Sequence, residues 1–102
     1  MDATQVEHEL QTAVEGAAGT DVWIKPPASR SAKAAKVQAG TVQVLTTRQA
    51  FDRVLAAIKE SSSRQNLQAD ANFRKSSNNE REAEVLVTIG KRLIARWDVR
   101  EV

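Results

Sequence analysis

The sequence predicts an α+β domain in which two αββ units form a largely antiparallel four-stranded sheet with two helices on one face. Three observations lead there. Apolar residues recur at helical spacing in 3–18 and 51–58, and they alternate at strand spacing in 20–25, 41–45 and 83–99. Glycine and proline punctuate them: Gly16 and Gly19 near the end of the first helix, Pro26-Pro27 after 20–25, and Gly90 at the turn within 83–99. The resulting order is helix, strand, strand, helix, polar stretch, strand, strand.

The first helix spans 3–18. Val6, Leu10, Ala13, Val14 and Ala17 form one apolar stripe, and its acids, weighted to the first half, suit the positive end of the helix dipole. Gly19 is the better candidate for a left-handed cap than Gly16. Thr20 to Lys25 then reads as a strand with Val22 and Ile24 on one face and Trp23 on the other. Pro26-Pro27 end it, because proline donates nothing to a ladder. Residues 26–40 lack an apolar face and read as a basic loop. In 41–45, Val42 and Val44 share the inward face of a strand.

Thr46-Thr47-Arg48-Gln49 fits a capping box at the start of the second helix. Phe51, Val54, Leu55 and Ile58 supply its buried stripe, and the helix is expected to stop near Glu60, before Ser61-Ser62-Ser63. Residues 61–82 form a long polar stretch, read as a loop or a segment ordered by a partner. A short strand around 71–75 and a turn at Ser76-Ser77-Asn78-Asn79 are the structured alternative.

The last two strands make a hairpin whose register follows from parity. A two-residue turn at Gly90-Lys91 would set Val85 against Arg96 and mix the faces. A three-residue loop pairs Ile89 with Leu93, Val87 with Ala95, Val85 with Trp97 and Ala83 with Val99, keeping one face apolar. The opposite face, with Leu86, Ile94, Arg96 and Asp98, is mixed. It is left open to a partner or to a second copy of the chain.

With 102 residues, 1–102 is a single domain, and 41% hydrophobic content supports one modest core rich in alanine. There is no cysteine, so disulfides and thiolate metal sites are excluded. The start Met1-Asp2-Ala3-Thr4-Gln5 does not read as a secretory signal, and the longest apolar run, Val54 to Ile58, is far short of a membrane span. The expected location is cytoplasmic, or the virion if the protein is viral.

A net charge of +2 conceals an asymmetry. Asp2, Glu7, Glu9, Glu15 and Asp21 are the only charged residues of 1–24 apart from His8, whereas Lys25, Arg30, Lys33, Lys36 and Arg48 are the only ones of 25–51. Such a division steers association or pairs one segment with the other.

The catalytic inventory is thin. His8, the one histidine, lies opposite the apolar stripe of its helix and reads as a surface residue. Glycines 16, 19, 40 and 90 build no phosphate-cradling loop. No catalytic, cofactor or metal residue is assigned, no cofactor is expected, and an enzyme is not the expected class. What remains is binding. Trp23, Leu67, Phe73 and Arg74 are the candidate contacts of a non-catalytic protein-interaction module: a small assembly subunit, adaptor or inhibitor of a larger complex, such as viral particles or host-defence systems use. Its partner would be another protein or a second copy. The alternative is a nucleic-acid-binding module in which Lys25, Arg30, Lys33, Lys36 and Arg48 follow a phosphate backbone. It lacks the interleaved aromatics of a stacking platform.

Overall fold

Trp97 sits where the two layers of the domain meet. The computed structural model describes residues 3–25, 41–75 and 80–102. Within them are α1 (Ala3–Ala18), β1 (Val22–Lys25), β2 (Thr41–Thr46), α2 (Phe51–Arg64), β3 (Gln68–Lys75), β4 (Arg81–Ile89) and β5 (Arg92–Glu101). The class is α+β, as predicted, but the sheet has five strands in the order β1-β2-β5-β4-β3. It is mixed: β2 runs parallel to β5, and the other three pairings are antiparallel. The predicted four-stranded sheet of two αββ units is therefore corrected to an αββ unit followed by an αβββ unit. The parallel pair is possible because α2, β3 and β4 together form the long crossover that parallel neighbours require.

One face of the sheet carries the core. Val42 and Val44 of β2, Ala83, Val85 and Val87 of β4, and Ala95, Trp97 and Val99 of β5 are buried there with Val6, Leu10 and Val14 of α1 and Phe51, Val54, Leu55 and Ile58 of α2. Val22, Ile24, Ala69 and Ala71 pack at its margin. The α1 stripe is as read, and Gly19 takes φ +58°, the left-handed cap expected of it. Its acids sit otherwise than expected. The first turn of α1 holds none, so Glu7 and Glu9 lie past the reach of the dipole's positive end.

The second helix differs at both ends. It begins at Phe51, not directly after Thr46-Thr47. The Thr47 hydroxyl does accept from the Ala50 N–H at 3.3 Å, but it closes a turn that precedes the helix. At the other end, Ser61, Ser62 and Ser63 are the last turn of α2 and not the start of a loop. Asn66 takes φ +61°. The Leu67 N–H donates to the Ser62 carbonyl at 2.8 Å and the Asn66 N–H to Ser63 at 3.0 Å. These are the paired bonds of a Schellman stop, with asparagine in the left-handed position and buried Leu67 as its hydrophobic contact. Residues 61–82 are thus not a long polar loop: they end α2, form β3 and begin β4. The turn predicted at 76–79 and the basic loop at 26–40 lie outside the described residues.

The hairpin is right in its body and wrong at its turn. Val87 faces Ala95, Val85 faces Trp97 and Ala83 faces Val99, as parity required. The turn nevertheless has two residues, with Ile89 opposite Arg92 and Thr88 opposite Leu93. A bulge reconciles the two registers. Ile94 is the extra residue, and it is buried together with Ala95 because a bulge sends two consecutive side chains towards one face. Gly90, at φ +58°, supplies the first turn position that a two-residue hairpin of this hand demands.

Buried polar groups are few. The Thr46 hydroxyl is fully enclosed and has no hydrogen-bond partner. Thr46→Val keeps the shape and removes the stranded group, so it is expected to stabilise the fold by about 1 kcal/mol. Urea unfolding with an unchanged slope and a higher midpoint is the expected reading. A lower midpoint would mean that the hydroxyl is satisfied.

No helix among the described residues is long and apolar enough to cross a membrane.

Candidate interaction surface

The face of the sheet that no described helix covers is built in rows. Strand alternation sends Trp23, Leu45, Arg100, Glu82 and Arg74 to that face, and the pairings align them across all five strands. Lys25, Gln43, Asp98, Glu84 and Asn72 make the next row. The first row changes character along its length. It starts apolar at Trp23, which is 55% exposed, and Leu45, then becomes a charge ladder. Glu82 lies between Arg100 at 3.1 Å and Arg74 at 3.5 Å, its own side chain only 12% exposed. Both arginines remain more than half exposed, so the ladder fixes positions more than it adds stability.

Beside Trp23 is a shallow hollow of about 350 Å³, floored by the backbone side of Ile24 and Val44. Trp23, Lys25, Gln43, Leu45, Asp98 and Arg100 surround it. An indole, an aliphatic side chain, two cations, a carboxylate and an amide can grip a surface by burial and polar pairing. They offer no nucleophile with a base beside it. Among the described residues no three histidine, aspartate or glutamate side chains gather to hold a metal.

The predicted contact residues are dispersed. Trp23 is on the open face at one edge of the sheet, with Lys25 next to it. Phe73 is 64% exposed, but it is on the helix-bearing face at the opposite edge, opposite Ala83. Arg74 shares that edge strand and points to the open face, towards Glu82. Leu67 is buried in the core and is corrected from a partner anchor to the stop of α2. Arg30, Lys33 and Lys36 lie outside the described residues.

Arg48 is exposed and lies on the other side of the sheet, the helix side, 3.9 Å from Glu101. Glu101 is the central group there, 4% exposed and bonded by Arg81 through Nε at 2.8 Å and the backbone N–H at 3.3 Å. Arg81 also reaches Asp52 at 3.4 Å, donates to the Arg48 carbonyl, and lies 4.6 Å above the Phe51 ring. The Arg81 guanidinium holds the Glu101 carboxyl below its ordinary 4.5 against the opposing effect of burial. In return the carboxylate raises Arg81. This cluster ties β4 and β5 to the start of α2 and is architectural.

Leu45, Gln43 and Arg100 are not among the contacts the sequence predicts, whereas Asp98 is placed by it on the mixed face. Leu45 had a signal: it shares the outward parity of Thr41 and Gln43, opposite Val42 and Val44. The meeting of Leu45 with Arg100 had none, because it depends on the parallel pairing of β2 with β5. The chain matches no protein-family model, and no curated protein is significantly similar to it.

Proposed function

We propose that the chain is a non-catalytic protein-interaction module that receives a partner protein on its open sheet face, around Trp23 and Leu45. One observation carries this reading: an exposed tryptophan beside an exposed leucine at the rim of a hollow, on a face that neither helix covers. Tryptophan, bordered by arginine and surrounded by groups that exclude water, is the usual anatomy of a binding hot spot. Charge argues against a phosphate backbone on this face. Lys25, Arg74, Arg96 and Arg100 are interleaved with Asp70, Glu82, Glu84 and Asp98. Such a neutral mosaic suits a protein surface of mixed charge, whereas nucleic acid favours unopposed cations.

The test is affinity capture from the source cell with the wild-type chain and with Trp23→Ala and Leu45→Asp, each first shown to be folded by circular dichroism. A captured partner should bind Trp23→Ala at least roughly 30-fold more weakly. In parallel, a mixed-sequence DNA and RNA fragment is titrated at low and moderate salt. Undiminished partner binding by both variants would sink the proposal. So would nucleic-acid binding that weakens steeply with salt and ignores Trp23.

A further inference from the structure

We propose that β3 pairs antiparallel with β3 of a second copy of the chain, centred on Asn72, joining two sheets into one. The site is the edge away from Trp23, so this inference and the preceding one can fail independently. β3 is an edge strand of eight residues, Gln68–Lys75, and among the described residues nothing pairs with its outer side. Natural proteins usually block such an edge, because its backbone groups template a further strand. Here the side chains are self-complementary instead.

In a two-fold antiparallel pairing, residues whose numbers sum to a constant stand opposite one another. Centred on Asn72, the pairing sets Asp70 against the partner's Arg74 on the open face and, by symmetry, Arg74 against the partner's Asp70. Asp70 is exposed, and Arg74 is more than half exposed while it contacts Glu82. On the other face the same register sets Phe73 against the partner's Ala71. An exposed phenyl ring would then cover a small residue already at the margin of the core. Neighbouring registers lose the charge pairing, and the one centred on Phe73 also loses the large-against-small contact. Centring on Ala71 places Asp70 against Asn72, and centring on Phe73 places Asn72 against Arg74. Only the Asn72 register joins opposite charges and pairs large with small, and both are favourable cross-strand combinations. The operator is a closed two-fold, which produces a dimer and no further growth along this edge.

Two experiments on the full chain test it. The first is sedimentation over a concentration series to the sub-millimolar range. Wild type should dimerise. Asp70→Arg and Arg74→Asp each turn two attractive pairs into two repulsive ones and should weaken the dimer roughly tenfold. An equimolar mixture should recover it, because every facing pair is then opposite in charge. The second uses the absence of cysteine from the sequence. Asn72→Cys places one thiol at the two-fold axis, where facing Cα atoms of a strand pair stand about 4.5–5.5 Å apart, within disulfide reach. It should oxidise to a reducible dimer, whereas Gln68→Cys, distant from its own copy in this register, should not. A wild type that stays monomeric overturns the proposal. So does a mixture no tighter than its components, or crosslinking at Gln68→Cys equal to that at Asn72→Cys.

Discussion

Trp97→Ala is expected to cost about 3–5 kcal/mol of stability, out of the roughly 5–15 kcal/mol that holds a domain of this size together. Trp97 is fully buried and is the largest enclosed side chain. It stands on the central strand, opposite Val42 of β2 and Val85 of β4. Its removal opens a void that both sheet neighbours border, so relaxation on one side cannot fill it. Few other aromatics are present to compensate: Phe51 is buried, while Trp23 and Phe73 are exposed. Trp97→Phe is the control. The indole N–H is buried without a partner, so phenylalanine loses volume but also removes a stranded donor, and it should be clearly milder than alanine. Denaturant unfolding followed by circular dichroism decides. A loss below about 1 kcal/mol for the alanine variant would show that the core is not organised around this side chain.

Glu101→Gln should lower the thermal midpoint at neutral pH, and the gap from wild type should close as the solution is acidified. The wild-type carboxylate is almost fully enclosed and is held by Arg81 through two hydrogen bonds. Its pKa in the folded chain lies below the ordinary 4.5. A depressed carboxyl contributes stability that is complete above the unfolded value and is lost as pH falls through the folded one. The difference between the two proteins should therefore be constant above about pH 5.5 and shrink below about pH 4.5. Glutamine leaves Arg81 with a neutral acceptor in place of a charged one, while the Phe51 ring still supports it. A gap that does not change with pH would assign the loss to packing alone.

How much of this was legible in the sequence depended on how local its cause was. The stripe of Val6, Leu10 and Val14 announces α1, and Gly19 its end. Val42 and Val44 announce β2, and the parity of Val85, Val87, Ala95 and Trp97 fixes the hairpin body. β3 was legible only in its second half, as the alternative of a short strand around 71–75, because the inward residues Ala69 and Ala71 are too small to show alternation beside Asp70 and Asn72. Leucine 67 was misread because three serines suggested a loop, while its real neighbour in the logic was Asn66, the left-handed residue of a helix stop. The candidate surface was half visible. Trp23 declared itself by parity, but its row with Leu45, Arg100, Glu82 and Arg74 exists only once five strands are placed. Spatial order across a sheet is a non-local property, and a parallel pair between β2 and β5 leaves no mark in either strand.

That same pairing has a consequence for how the chain acquires its shape. β5 is the last strand in sequence and the middle one in space. Until its residues have left the ribosome, the β1–β2 ribbon and the β3–β4 ribbon have no strand to join them. Neither ribbon alone buries enough apolar surface to persist in water. α1 could pack on α2 and β1, and α2 on β3, but Trp97 and Val99 would still be missing from beneath them. The domain is thus closed late and all at once, by an arriving strand that must insert between two halves, and contacts that distant in sequence make for slow folding.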